Sequence, residues 1–236
     1  MVKKEKANNK VYKGVVEEIK NKIVSGELKK GQKLPPKREL AEKLSVSRAS
    51  VREAMRALEV IGFIESKQGA GNYIKESFED VLIEPLSMMF MLQQINAEEI
   101  SELRRGLELE AAVLAAERAD EEDILKLEHL IKEMSVTENE DRNVILDKEF
   151  HYTIAKASKN KMFLNILNVI SELIDNFIKG IRKEILSKEE NKERLLKVHS
   201  EIALAIRERN KMNVYKAMEK HCTIINENIL LRTKKE

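Results

Sequence analysis

The chain has 236 residues, of which 36% are charged and only 4% aromatic, with no Trp; this fits a soluble helical protein better than a sandwich or barrel. No apolar run reaches membrane-spanning length, no apolar signal core follows the basic MVKKEKANNK, and one cysteine, Cys222, excludes an intramolecular disulfide framework and agrees with a reducing cytoplasm. The net charge of +2 is unevenly spread: residues 1–75 hold 18 Lys+Arg against 9 Asp+Glu and residues 76–236 hold 25 against 32, so a basic module suited to a polyanion precedes an acidic one.

Glycine and proline mark the same division. Six of eight Gly lie at or before Gly71, and beyond Lys75 only Pro85, Gly106 and Gly180 punctuate the chain. In the first part, Val11, Val15, Ile19 and Ile23 recur every four residues and predict an amphipathic helix ending before Gly26. Pro35-Pro36 opens a short helix through about Leu44. Ser45-Val46-Ser47 reads as a tight turn, with Ser47 as N-cap of a third helix that carries Val51, Met55 and Leu58 inward and ends at Gly62. Residues 63–65 and 72–74 read as short strands around Gln68-Gly69-Ala70-Gly71. Three helices and a hairpin make a winged helix-turn-helix domain, residues 1–76.

The second part, residues 77–236, is expected to be an all-α antiparallel bundle of about seven helices, at 78–94, 97–118, 121–135, 140–158, 161–186, 189–209 and 211–231. The 97–118 helix shows one apolar stripe of Ile100, Leu103, Leu107, Ala111 and Leu114.

Arg48 and Arg52 lie four apart and project from one face near the start of the third helix, with Ser47 and Ser50 beside them. A helix that enters a major groove needs guanidiniums for guanine edges or phosphates and small hydroxyls for close approach. Arg38 is placed to contact backbone or base from the preceding helix, and the Gly69/Gly71 turn lets the wing's backbone approach a phosphate. Residues 33–74, KLPPKRELAEKLSVSRASVREAMRALEVIGFIESKQGAGNYI, closely resemble the winged helix of GntR-family bacterial regulators. That family's pattern runs LP-S-E-R, ELA, VSR, VREA, a Leu-rich helix end with Gly, and a G-x-G wing. Pro36-Lys37 replaces the usual Ser-Glu, while Arg38 is retained. The resemblance implies double-stranded operator DNA as partner, a homodimer on two half-sites, and contacts from Arg38, Arg48, Arg52 and Gly69.

Three of the four histidines fall on apolar stripes. Asp147 and His151 are four apart on one helix, His199 is flanked at helical spacing by Leu196 and Ile202, and His221 by Met218 and Ile224. A buried, unpaired carboxylate protonates or finds a cation. The residues alone leave two readings open: an Asp–His pair with two core histidines, or one divalent metal held by all four. The segments DKEFH, VHSEIALAI and MEKHC look like the metal-ligand segments of the FCD effector domain, the helical half of FadR-subfamily GntR regulators. ISELRRGLELEAAVLAAERA looks like its E-x-R-x-x-L-E helix. The resemblance implies Asp147, His151, His199 and His221 as ligands of a divalent ion, zinc first, with nickel or manganese as alternatives. Arg104 stands at the recurrent Arg; it either neutralises a small organic acid effector or pairs with Glu108 one turn on. A repressor released by that effector is expected. The competing readings are a metal enzyme, which lacks a placed general base because Glu149 is on another face, and a structural ion with a different effector such as an acyl thioester. His129 is expected to be exposed, and Cys222 to be core or interface.

Overall fold

The computed structural model describes residues 2–76, 79–177 and 180–233, and the chain divides into two compact units, Met1–Leu82 and Ile83–Glu236. In the first unit, α1 (Val2–Val24), α2 (Lys37–Lys43) and α3 (Arg48–Val60) are followed by a two-stranded antiparallel sheet, β1 (Ile64–Lys67) and β2 (Gly71–Ile74). Pro36 stands at the N-cap of α2 rather than inside its first turn, its carbonyl accepting from Leu40 N at 3.0 Å. Ser45, at φ 52, stops α2, and Ser47 starts α3 by accepting from the Ser50 amide at 3.0 Å. The two helices are thus held apart by a turn only a few residues long. Val51, Met55 and Leu58 are buried as expected and pack with Val15, Ile19 and Ile64. The hairpin pairs Ile64 with Ile74 and Lys67 with Gly71, and extends one to two residues further toward its turn than the expected strands. Gly69 and Gly71 both take positive φ, at 73 and 110, which lets so short a connection close.

The second unit is all helix among the described residues. It contains most of α4 (Glu79–Gln93), then α5 (Ala97–Arg118), α6 (Glu121–Val136), α7 (Glu140–Ala157), α8 (Lys161–Phe177), α9 (Ile181–Ser187), α10 (Glu189–Arg207) and α11 (Lys211–Thr233). Capping boxes fix the starts of α5 (Asn96 with Glu99) and α6 (Asp120 with Asp123). The single helix expected at 161–186 is instead two, so the described residues of the bundle form eight helices where about seven were expected. The break lies at Gly180, whose φ of 75 is left-handed and cannot continue a right-handed helix. The separated α9 packs on α7 and α10.

α5 sits centrally, against α7, α8, α10 and α11. With neighbours on several sides it buries more than one stripe. Ala111, Ala112, Ala115 and Ala116 are fully buried, their small side chains allowing close helix approach. The expected stripe is partly wrong: Leu103 is 52% exposed, while Arg104 and Glu108 turn inward.

Candidate functional site

In the first unit the structure leaves Ser47, Arg48 and Arg52 exposed at the start and along one side of α3. Arg56, one turn further along, is exposed as well and extends the same i, i+4 row, a signal that the spacing of the three arginines carries in the sequence itself. Arg38 is exposed on α2, its Nε donating to Glu42 Oε1 at 3.1 Å. Ser50 lies differently. It is 2% exposed, and its hydroxyl stands 2.9 Å from Ser47 Oγ, so it belongs to the capped turn and not to the open face. Gly69 is exposed at the tip of the wing, with open space around it. Near it Lys67 lies over the Tyr73 ring, 4.8 Å from its centroid, adding positive charge to the hairpin.

In the second unit α7, α10 and α11 bring Asp147, His151, His199 and His221 together. One ligand atom from each lies within 4.8 Å of one from every other. Tetrahedral donors at about 2.0–2.2 Å from a single ion stand roughly 3.3–3.6 Å apart, so the group is gathered close enough for side-chain adjustments of about an ångström to let it share one. The Nε2 atoms of His151 and His221 face each other at 3.2 Å, and Asp147 Oδ1 is 3.6 Å from His199 Nε2 and 3.8 Å from His151 Nε2. His199 Nε2 has no hydrogen-bond partner among the described residues, nor have His151 Nδ1 and His221 Nδ1. Buried imidazole nitrogens are normally satisfied, and an orphan aimed at a carboxylate and two imidazoles is what a cation position leaves when only the protein is considered. The residues fit a divalent ion.

Two buried guanidiniums flank this group. Arg104 gives Glu108 Oε1 contacts at 2.7 Å from both Nε and Nη2, with the two side chains 11% and 7% exposed. Glu108 in turn faces His151 Nδ1 at 3.3 Å and the Cys222 thiol at 4.0 Å. On the other side Arg182 Nη1 donates to Asp147 Oδ2 at 2.8 Å. Burial alone raises a carboxyl, but the Arg182 guanidinium holds Asp147 well below the usual carboxylate range. Burial pushes all three histidines down and keeps them neutral, against the pull of Asp147. Burial, then Glu108, pushes the Cys222 thiol up to about 12, so Cys222 is a neutral packing group here. Glu108, His221 and Cys222 also cluster, but Glu108 is already committed to Arg104 and the thiol is protonated. His129 is exposed and paired with Glu133 at 2.8 Å.

Residues 11–74 match the gntR family of bacterial regulatory proteins, and residues 99–223 match the FCD domain. The chain belongs to the GntR family and carries an FCD domain. It is therefore a DNA-binding transcriptional regulator with an effector domain, not an enzyme. GntR-family relatives include the HTH-type transcriptional regulator LutR of Bacillus subtilis, 34% identical over 87% of this chain and 94% of its own length. The Glc operon transcriptional activator of Escherichia coli is 27% identical over 91% and 87%, and that organism's putative L-lactate dehydrogenase operon regulatory protein 28% over 90% and 83%. Among solved structures, Streptococcus agalactiae GntR is similar with a TM-score of 0.74 at 30% identity, covering 92% of this chain and 99% of that one. No helix among the described residues is long and apolar enough to cross a membrane. Within the FCD domain the sequence pattern does not single out Arg182, which lies 35 residues from Asp147 on a helix that the periodicity does not separate from its predecessor.

Proposed function

We propose that this GntR-family regulator is a cytoplasmic homodimer that represses transcription by binding a two-fold operator, and that a small carboxylate metabolite releases it through a metal centre. Asp147, His151, His199 and His221 hold the ion, zinc or alternatively nickel or manganese. Arg48 and Arg52 read the operator, supported by Arg38, Ser47 and Gly69.

The observation that carries the effector class is the charge balance of the buried group. Two carboxylates, Asp147 and Glu108, balance two guanidiniums, Arg182 and Arg104, around three neutral imidazoles. A divalent ion, when bound, supplies a Lewis-acidic position and adds two positive charges to a site with little access to water. An anion is then the natural further occupant. Arg104 is the group for the carboxylate to meet, by exchanging Glu108 for the ligand. The name of the relative tied to an L-lactate dehydrogenase operon makes a 2-hydroxy acid the first probe.

The test is operator binding, on duplex from beside the regulator's own gene, with protein loaded with zinc, nickel or manganese or stripped by chelator. L-lactate and then a panel of keto acids, dicarboxylates and sugar acids are titrated in. Coupling of about 1–3 kcal/mol, a shift of roughly 5–150-fold in operator affinity that requires the ion, is expected. Equal operator affinity with every acid, loaded or stripped, refutes the metal-linked effector, and affinity no better than for random duplex refutes the operator. A second reading is favoured by one observation: Arg104 is 9% exposed and already paired with Glu108. There the ion is structural and the effector sits elsewhere, so chelation unfolds the second unit without a separate loss of response.

A further inference from the structure

The two oxygens of Asp147 are not equivalent. Oδ2 accepts from Arg182 Nη1 at 2.8 Å, while Oδ1 turns to the imidazoles, 3.6 Å from His199 Nε2 and 3.8 Å from His151 Nε2. Arg182 is 8% exposed and is itself held from several sides. Its Nη2 reaches Ser171 Oγ on α8 at 3.4 Å, and its Nε lies 3.9 Å from Asp175 Oδ1. Asp175 is also paired with Lys148, the residue after Asp147 on α7. The guanidinium thus joins α7, α8 and α9, and its planar fork cannot rotate without giving up partners on two of them.

We propose that Arg182 is a positioning residue of the metal centre: by occupying Oδ2 it presents Asp147 as a one-oxygen ligand through Oδ1 and so sets how many positions remain for an exogenous ligand. The proposal rests on the reading of Asp147 and the three histidines as ion ligands. A carboxylate beside a divalent ion can supply one oxygen or two, and the choice fixes the coordination number. Groups that hold a ligand from behind fix its orientation, and losing one typically costs about 10–100-fold in metal affinity. Arg182 also reaches the site from α9, the short helix made by the break at Gly180, which gives that break a use: it brings a cation behind Asp147 that a continuous helix over 161–186 would carry elsewhere.

Cobalt(II) is the probe, titrated into the stripped full-length protein, because its visible absorption reports coordination number. Arg182→Gln is expected to weaken cobalt binding about 10–100-fold and to change the spectrum. Arg182→Lys keeps the charge but not the fork, and is expected to change the spectrum with a smaller loss of affinity. If Arg182→Lys matches the parent in both, Arg182 only neutralises a buried carboxylate and the proposal is wrong; the same holds if Arg182→Gln matches it. Should either variant fail to fold, a crystal structure of the zinc-loaded parent decides. One Asp147 oxygen on the ion with the other still on Arg182 supports the proposal; two oxygens on the ion, or Arg182 withdrawn, overturns it. A parent that binds no cobalt in one-to-one ratio brings down the metal reading itself, a different failure from a parent that binds and variants that do not differ.

Discussion

Removing one member of the Arg104–Glu108 pair tests how far burial, and not sequence spacing, governs this site. At i, i+4 on a solvent-facing helix such a pair contributes only about 0.3–0.5 kcal/mol. Here the side chains are 11% and 7% exposed, so either one left alone is an uncompensated buried charge, which costs about 3–5 kcal/mol. The two single variants should not be equal. In Arg104→Met the stranded Glu108 has His151 Nδ1 3.3 Å away and can share a proton with it, so the loss should fall at the lower end. In Glu108→Leu the stranded guanidinium cannot give up its charge, so the loss should be the larger. The double variant Arg104→Met/Glu108→Leu removes both charges and should lie within about 1 kcal/mol of the parent. For a unit of this size the single losses correspond to falls of roughly 6–20 °C in unfolding temperature. Scanning calorimetry of the stripped full-length protein measures all four corners of the cycle and separates the transitions of the two units. Single variants that each cost less than about 1 kcal/mol, or a double variant as unstable as the sum of the singles, would falsify the claim that this is a coupled buried pair.

Acid should weaken the stripped protein in a definite window. The three cluster histidines are held below their ordinary value of 6.5, so the unfolded chain takes up protons first; their stabilisation is complete above that value and is lost as pH falls below it. Three such groups give up to about 4 kcal/mol per pH unit, whereas Asp147, also held low, acts only at more acidic pH; a urea midpoint that stays flat down to about pH 5.5 contradicts this. Ser47→Ala should cost about 1 kcal/mol by removing the acceptor for the Ser50 amide, and Ser47→Asp should retain the cap; equal stability of all three proteins by calorimetry removes the capping account. Gly180→Ala should cost about 1–2 kcal/mol through its left-handed φ alone, since nothing lies within 4 Å of the added methyl; a stabilised variant would mean that the helix runs straight through. On operator DNA, Arg52→Ala should lose about 1–3 kcal/mol and relax selectivity at one base pair, while Arg56→Ala should weaken all duplexes alike and lower the salt slope by about one; identical behaviour of the two in binding isotherms at several salt concentrations rejects the division of roles.

Features that depend on local chemistry are legible in the residue pattern. Ser47 caps α3 because its hydroxyl meets an amide three residues away, Gly69 and Gly71 close the wing because they tolerate positive φ, and both effects operate within a few residues. The four candidate ligands are legible for a related reason: a polar group on an apolar stripe announces that something must satisfy it, and Asp147, His151, His199 and His221 do converge. Orientation around a helix axis is harder to read. Leu103 and Arg104 are neighbours whose faces differ by about a quarter turn, and which of them is buried depends on how many helices surround α5, a property of the assembled bundle. The same holds for Ser50, drawn under the capped turn, and for Arg182, whose partner is distant in sequence and whose helix starts at Gly180 in a left-handed conformation. Residue pattern determines which groups need partners, since desolvation acts on each side chain by type. Which partner each one finds is decided by packing, because only the folded bundle sets the distances over which charges interact.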